Sequence, residues 1–201
     1  CAIAVIGNRV LAAVAEEMGT VLRKSSFSPN IKERRDYSCA IFDSKIRMVA
    51  QAAHIPVHLG AMPLSVQAAM HQFSGDLFPG DIIILNDPYH GGTHLPDVTM
   101  VSPIFIKNKT QNKSTKSLVG FVASRAHHSD IGGITPGSMP LAKEIYQEGL
   151  IIPPIKLVRK NCLDHGVISL IMANVRTPEE RKGDFLAQMA ANQRGVERMR
   201  E

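Results

Sequence analysis

The hydrophobic and polar positions of this chain follow two kinds of spacing, one typical of helices and one of strands. Apolar residues recur at three- and four-residue steps through residues 2–24, which predicts a helix with one apolar face. The same spacing predicts helices at 60–73 and after Thr177, where Thr177, Pro178 and Glu180 form the pattern of a capping box. These helices are expected to flank a sheet.

Shorter apolar runs predict that sheet. Residues 39–42 and 47–50, with a turn between them, predict a β-hairpin. Further strands are expected at 82–85, 98–106 and 118–123, the last two joined by a polar hairpin tip at 107–117. A short helix is expected at 141–149 and an edge strand at 151–158, where prolines interrupt the run. The fold class is therefore α+β, mainly antiparallel sheet with flanking helices.

Composition sets the size and class of the protein. A chain of 201 residues with 44% hydrophobic residues and a mean hydropathy of −0.02 fits a globular domain with a substantial core. No apolar run reaches the ~18 residues that a membrane span needs. The chain starts at Cys1 and its last helix has no stop signal before Glu201, so we expect a piece of a longer protein.

Cysteines and charge narrow the possible functions. The three cysteines, Cys1, Cys39 and Cys162, are far apart and form no Cys-x-x-Cys pattern, which favours a reducing, cytoplasmic location. Cys39 lies in an apolar run and is expected to be a buried small residue. The net charge of +5 comes from basic runs that contain few aromatic residues, so the sequence argues against nucleic-acid binding.

The candidate chemistry lies in residues 85–99, between two predicted strands. This stretch contains Asp87, His90, His94 and Asp97, interrupted by glycines and prolines. The spacing His94-x-x-Asp97 offers a nitrogen and an oxygen ligand close together, as zinc or manganese would accept. The alternative is a turn in which the Asp and His side chains cap their own backbone.

A second polar cluster, at 125–130, is expected to meet the first. The strand that leaves His94 and Asp97 and the strand that returns have similar lengths. The start of the first and the end of the second should therefore lie together at one end of the sheet. His127 and His128 are adjacent on an extended segment and point opposite ways, so we expect one of them to be a ligand, and spacing does not choose between them.

Two more candidates come from the first half of the chain. Asp36 stands at a strand entrance, where it is either an ion-pair partner of the neighbouring arginines or a ligand supplied from a distance. His54 and His58 are a weak metal signal, because Pro56 argues against a regular helix that would place both on one face.

Convergence of these residues would create a metal site with mixed nitrogen and oxygen ligands. Such a set suits a catalytic zinc, manganese or iron(II) ion. His128, Ser129 and Asp130 would then support the ligands or act as acid–base groups. The sequence contains neither a Gly-x-x-x-x-Gly-Lys-Ser/Thr loop nor a Gly-x-Gly-x-x-Gly motif, so it shows no nucleotide site of its own.

Five stretches carry a family resemblance, and the most specific is Asn-Asp-Pro-Tyr-His-Gly-Gly-Thr-His-Leu-Pro-Asp at 86–97. The others are 26–42, 51–62, 125–133 and 145–149. Together they resemble the N-terminal part of the hydantoinase B/5-oxoprolinase family, which includes the large subunits of acetone and acetophenone carboxylases. Residues 1–201 are thus expected to be the N-terminal portion of a hydantoinase B-type domain.

The resemblance implies ATP-dependent hydrolytic opening of a cyclic amide such as 5-oxoproline, a reaction of glutathione metabolism, or a hydantoin. ATP would be handled by a hydantoinase A-type subunit or fused domain in an oligomeric assembly. The family pattern maps metal ligands onto His94, Asp97 and His127, favouring His127 over His128. Asp36 is expected as a further ligand, and His128 or Asp130 as the group that moves protons.

Two alternative functions stay open. One is a subunit of an ATP-dependent ketone carboxylase that uses the same metal site. The other is a non-catalytic assembly domain whose histidine-rich turn is only structural.

Overall fold

The protein is built on one antiparallel sheet, seen in a computed structural model that describes residues 2–53, 57–110, 113–137 and 140–201. Within these residues the sheet has seven strands in the order β2-β1-β5-β4-β3-β6-β7, and every neighbouring pair is antiparallel. The α+β class predicted from the sequence is confirmed.

The elements follow one another along the chain with short connections. The strands are β1 (Tyr37–Asp43), β2 (Met48–Ala53), β3 (Ile82–Leu85), β4 (Asp97–Thr110), β5 (Lys113–His127), β6 (Ile155–Arg159) and β7 (Cys162–Leu163). The helices are α1 (Ala2–Ser25), α2 (Pro29–Lys32), α3 (Val57–Gln72), α4 (His165–Ala173) and α5 (Pro178–Arg198), with 3₁₀ turns at Pro88–His90 and Ile145–Gln147.

The sheet is covered by helices on both faces. Because successive residues of a strand point to opposite faces, β5 contributes Ala123 to the apolar core under α3 and Val122 to the core under α1 and α5. Farther along the second face, α4 and Phe185 of α5 pack on β3 and β4. The helices predicted at 2–24, at 60–73 and after Thr177 and the hairpin are thus confirmed, and their apolar faces form the core.

Three local predictions differ from the structure. The polar stretch 107–117 was expected to be a loop, yet β4 and β5 continue through its described residues, with Lys107 opposite Lys116. Backbone pairing needs no apolar side chains, which is why the pattern missed it. The segment expected at an edge contains β6, which lies between β3 and β7, and the helix expected at 141–149 is a single 3₁₀ turn.

The starts of two helices, α5 and α4, differ from what the sequence predicts. Thr177 does stand at the N-cap of α5, but within the described structure its side chain makes no capping hydrogen bond, and Glu180 pairs with Arg181 instead. The helix α4 was not predicted, although Asp164 caps it by accepting hydrogen bonds from the amides of Gly166 and Val167.

Cys39 is fully buried in β1, as expected, and burial raises the pKa of its thiol, which makes it a poor nucleophile. Among the described residues, no helix combines the length and the apolar character that crossing a bilayer requires.

The turn before β4 depends on Gly91, and we predict that it tolerates no side chain there. Gly91 has φ +85°, and a Cβ on it would overlap the carbonyl oxygen of Leu64 in α3. Positive φ costs an alanine roughly 1–2 kcal/mol, and overpacking adds about 1–3 kcal/mol. We therefore expect Gly91→Ala to lower the free energy of unfolding by about 3 kcal/mol or more, measured by urea denaturation.

A matched control is Gly137→Ala. Gly137 has a similar φ of +92°, but a Cβ there would meet none of the described residues within 4 Å. This variant should lose only about 1–2 kcal/mol. Equal losses for the two variants would show that the contact between the turn and α3 contributes nothing.

Candidate metal centre

The registers of three neighbouring strands place the predicted ligands in one row. Asp97, the first residue of β4, lies directly opposite His127, the last residue of β5. On the other side of β5, the amide of His127 donates to the carbonyl oxygen of Asp36, 2.9 Å away, just before β1. The expectation that the outgoing and returning strands bring their polar ends together is therefore confirmed.

His94, Asp97 and His127 form a compact triad in this row. Nδ1 of His94 lies 3.1 Å from Oδ2 of Asp97, and Nδ1 of His127 lies 2.9 Å from Oδ1. One potential ligand atom from each residue lies within 4.8 Å of the other two. Two imidazole nitrogens and a carboxylate oxygen in a mostly buried setting are a donor set that zinc, manganese and iron(II) accept.

Asp97 is the electrostatic centre of the triad. Burial by itself would raise the pKa of this carboxyl, but hydrogen bonds from His127 and His94 hold the pKa well below its usual range. Thr93 adds a further hydrogen bond from Oγ1 to Oδ2, 3.1 Å long. In turn, the hydrogen bond to Asp97 raises the pKa of His94. The carboxyl of Asp97 therefore stays ionised at neutral pH.

The loop that carries His94 is held by a buried amide side chain. Asn86, fully buried at the end of β3, donates from Nδ2 to the carbonyl oxygens of Leu95 and Leu150, at 2.7 and 2.9 Å. Its Oδ1 accepts a hydrogen bond from the amide of Ile152 at 2.6 Å. These bonds fix the start and the end of the loop, so His94 is presented on a rigid segment.

Asp87 and His90 fit the alternative interpretation of this stretch. Oδ1 of Asp87 accepts a hydrogen bond from the amide of Tyr89 at 2.9 Å, and its Oδ2 lies 2.6 Å from Nδ1 of His90. Asp87 therefore caps its own turn. The two interpretations apply to different halves of the stretch, because the first half is a capped turn and the second half carries the triad.

A buried arginine lies one layer below the triad, and sequence reasoning gave it no role. Arg125 is fully buried on the same face of the sheet and donates to Oγ1 of Thr99 at 2.7 Å, to Oγ of Ser65 at 2.6 Å and to the carbonyl oxygen of His58 at 3.3 Å. Burial lowers its pKa to about 10, with Asp97 acting in the opposite direction. It stays charged at neutral pH and ties β4, β5 and α3 together.

Asp36 is not part of the group whose ligand atoms lie within 4.8 Å of one another, and among the described residues its carboxylate reaches the triad by way of a histidine. Its Oδ1 lies 2.9 Å from Nε2 of His58, whose Nδ1 is 3.8 Å from Oδ2 of Asp97. The sequence offers His58 only as one half of a weak metal-binding pair with His54, and His54 lies outside the described residues. Because α3 begins at Val57, immediately after Pro56, His58 sits in the first helical turn and faces the site.

The structure places His128 on the opposite face of the sheet. Its ring packs on Phe185 with centroids 4.5 Å apart, and its Nε2 lies 3.2 Å from Oε1 of Gln188. Burial lowers the pKa of His128 to about 4. The expectation that adjacent histidines face opposite ways agrees with this arrangement. His128 is not part of the triad, and its acid–base role stays a prediction.

Asp130 is also buried away from the triad. One of its carboxylate oxygens accepts from the amide of Gly132 at 3.1 Å and pairs with Nη1 of Arg176 at 3.2 Å. These contacts fix the chain after β5. The proton-transfer role of Asp130 likewise stays a prediction.

Comparisons with known proteins agree with this architecture. The model of the Hydantoinase B/oxoprolinase family matches residues 1–201, so the chain belongs to this family. The 5-oxoprolinase of Saccharomyces cerevisiae is 44% identical over 195 residues, which cover 92% of this chain and 15% of the relative. Caprolactamase subunit beta of Pseudomonas jessenii is 37% identical over 182 residues, covering 90% of this chain and 30% of that subunit.

Solved structures share the fold. The crystal structure of ATP-dependent caprolactamase from Pseudomonas jessenii superposes with a TM-score of 0.86 at 33% identity and covers 98% of this chain and 33% of that one. A nucleotide-free acetone carboxylase gives a TM-score of 0.82 at 20% identity, covering 95% and 24%, which shows a common fold. The chain thus spans a third or less of the length of these relatives.

We predict that the triad binds one divalent metal ion. Full-length protein, purified without chelator, should contain about one zinc, manganese or iron ion per chain by elemental mass spectrometry. His94→Ala should lower this content at least about tenfold, because it removes one of three ligands. The control is His71→Ala at an exposed position of α3, which should keep the ion. Equal content in wild type and His94→Ala would contradict the assignment.

We also predict that Arg125 cannot be replaced by lysine. Lysine keeps the positive charge but lacks the fork that bonds Thr99, Ser65 and His58 at once. Leaving buried partners unsatisfied costs about 1–3 kcal/mol each, so Arg125→Lys should lose about 3 kcal/mol of unfolding free energy in urea denaturation. Arg159→Lys, at an exposed position of β6, is the control and should change stability by less than about 0.5 kcal/mol.

Proposed function

We propose that this chain is the metal-bearing part of an ATP-dependent enzyme that hydrolyses a cyclic amide of the 5-oxoproline or hydantoin type. In this reaction the ring C–N bond breaks, a C–O bond forms with an oxygen from water, and the released nitrogen takes a proton, while ATP is hydrolysed to ADP and phosphate. The product is one open chain that carries the new carboxylate and the released nitrogen, which is an amine from 5-oxoproline and part of a urea group from a hydantoin.

The observation that carries this proposal is the in-register row at the end of β1, β5 and β4. His94, Asp97 and His127 meet there with ligand atoms within 4.8 Å of one another. A divalent ion at such a site would polarise a carbonyl oxygen and lower the pKa of a water molecule. Both effects serve amide hydrolysis, in which the acyl carbon must become more electrophilic and water more nucleophilic.

Each residue of the site has a distinct part in the proposal. His94, Asp97 and His127 hold the ion, with Asp36 as a fourth ligand, and the carboxylate of Asp97 supplies charge that remains negative because its pKa is depressed. Arg125 keeps the β4–β5 end and α3 together without reaching solvent. The burial of His128 and Asp130 on their own contacts favours structural support over direct proton transfer to substrate.

The names of the relatives support the choice of reaction. The 5-oxoprolinase and caprolactamase are both named for the opening of a cyclic amide, and the caprolactamase structure is described as ATP-dependent. ATP activation of the lactam oxygen would be the work of a hydantoinase A-type subunit or fused domain, since this sequence contains no phosphate-binding loop motif of the kinds considered above. We propose an oligomeric assembly, in the reducing cytoplasm that the few scattered cysteines favour.

A ketone carboxylase is the second candidate. It is supported by the fold shared with acetone carboxylase, but at 20% identity that likeness concerns the fold alone. The 44% identity to a 5-oxoprolinase favours the hydrolase. The third possibility, a non-catalytic assembly domain, requires that the triad bind no ion.

The test is ring opening by the complete enzyme. We expect full-length protein, combined with its ATP-binding partner, ATP and 5-oxoproline or hydantoin, to release the open-chain amino acid. His94→Ala should lower kcat at least about 100-fold, because the lost ligand is asked to contribute several kcal/mol of transition-state stabilisation. His71→Ala should match wild type. Chromatography of the product and of ADP measures both halves of the reaction.

Three other outcomes would contradict the proposal in different ways. Incorporation of labelled carbon dioxide into a ketone, without ring opening, would identify a carboxylase. Full ring-opening activity in His94→Ala would remove the triad from the reaction. Absence of both activities together with no bound metal would support the assembly domain.

A further inference from the structure

His58 lies between the two carboxylates of the site, Asp36 and Asp97. We infer that His58 is the positioning residue that holds the Asp36 carboxylate at the metal centre, an inference that rests on the proposed metal site. Under this assignment Asp36 is a ligand and His58 acts on the ion only through Asp36.

The hydrogen-bonding of the ring supports this role. Nε2 of His58 lies 2.9 Å from Oδ1 of Asp36, and the side chain is 3% exposed. A carboxylate can only accept, so Nε2 carries the proton in this bond. One oxygen of Asp36 is thereby fixed, which restricts rotation of the side chain. Under the proposed assignment the second oxygen is the ligand atom.

The second nitrogen of the ring faces the other carboxylate without bonding to it. Nδ1 of His58 is 3.8 Å from Oδ2 of Asp97, beyond hydrogen-bond distance, and has no partner among the described residues. Asp97 already receives hydrogen bonds from His127, Thr93 and the close nitrogen of His94. The shorter, bonded contact of His58 is therefore the one with Asp36.

The backbone around Asp36 explains why its side chain needs a separate support. The amide of Asp36 donates to the carbonyl oxygen of Asn30, and its carbonyl oxygen accepts from the amide of His127, both at 2.9 Å. These bonds place the main chain next to the triad. They do not set the carboxylate, which is 26% exposed at its side chain. The ring on α3 supplies that restraint from the facing element.

His58 is itself held from below. Its carbonyl oxygen accepts a hydrogen bond from Nη1 of Arg125 at 3.3 Å, and Nη2 of Arg125 donates to Oγ of Ser65, about two turns further along α3. Arg125 thus fixes α3 to the sheet at His58 itself and at Ser65. A chain of contacts runs from Arg125 through His58 to Asp36.

Charge balance favours Asp36 over His58 as the ligand. With Asp97 as the sole carboxylate, a divalent ion would leave one positive charge above the buried guanidinium of Arg125. A second carboxylate cancels that charge, whereas a third neutral imidazole would not. Carboxylates that ligate metals are commonly hydrogen-bonded in turn, which is the arrangement seen between Asp36 and His58.

Metal affinity of the full-length protein tests the inference. Zn²⁺ is titrated in competition with a chromophoric chelator. We expect His58→Leu to weaken Zn²⁺ binding about 10–100-fold, the usual effect of losing such a support. His58→Gln retains an N–H donor near the position of Nε2 and should stay within about threefold of wild type. His71→Gln, on an exposed part of the same helix, is the matched control and should bind as wild type does.

A double-variant cycle tests whether His58 acts through Asp36. Asp36→Asn should weaken Zn²⁺ binding. Adding His58→Leu should weaken it little further, because His58 then has no carboxylate to hold. Multiplicative losses, or no loss in His58→Leu, would overturn the inference. If circular dichroism shows that His58→Leu does not fold, His58→Asn replaces it, because the shorter asparagine amide does not reach Asp36. The inference then requires His58→Asn to bind Zn²⁺ about tenfold more weakly than His58→Gln.

Counting the coordinated imidazoles separates positioning from ligation. Pulsed electron paramagnetic resonance of the Cu²⁺-loaded protein should detect two imidazoles in wild type and in His58→Gln. Three in wild type and two in His58→Gln would make His58 a direct ligand and overturn the inference. Complete metal binding without ring opening would contradict only the proposed function, whereas failure of wild type to bind any of these ions would contradict both.

Discussion

The structure depends on the register of β5 with its two neighbours, β1 and β4. Side chains of a strand alternate between faces, so a slip of one residue would turn an entire set of side chains to the other side of the sheet. In the observed register Asp97 lies opposite His127 and both face α3, while Ala126 and His128 face α5. A one-residue slip of β5 would turn the imidazole of His127 into the apolar core under α5 and would turn a core residue into the candidate metal site. The apolar cores on both faces therefore also fix the position of the candidate ligands, so the register that stabilises the sheet also sets the geometry of the site.

Arg125 shows how that constraint reaches the helix above the sheet. A buried guanidinium without a direct carboxylate partner is costly, and it persists because its donors meet a hydroxyl of β4 and groups of α3. The negative charge of Asp97 partly offsets the effect of burial, which lowers the pKa of Arg125. The same contacts fix the part of α3 that presents His58. Replacing the arginine with an apolar residue of similar volume would fill the space and still release α3 from the site, so packing alone does not account for its presence.

Much of the fold and the centre of the site were predictable from the sequence, and the misses have physical causes. Apolar runs of the right length located β3, β4 and β5, and the similar lengths of the outgoing and returning strands predicted that His94, Asp97 and His127 lie together. Alternation predicted that His127 and His128 face opposite ways, but only the family resemblance favoured His127. The role of His58 was missed because Pro56 was read as excluding a helix, whereas a proline directly before the first turn is compatible with one. Contacts of Arg125 join residues far apart in sequence, and no local pattern reports them.

Asp36 is held from both faces of the sheet, which connects the far side of the molecule to the site. On the α5 side, Oδ1 of Asp184 accepts hydrogen bonds from the amides of Phe27 and Ser28, at 2.7 and 3.1 Å, and Asp184 faces the buried Arg181 across 3.2 Å. These contacts fix the segment that enters α2. The carbonyl oxygen of Asn30 in α2 accepts a hydrogen bond from the amide of Asp36. The α5 side thus sets where the backbone of Asp36 runs, and the α3 side sets where its carboxylate lies. Because the two restraints come from opposite faces, loosening either helix would disturb the same carboxylate, and the site can be only as rigid as the three-layer packing around it.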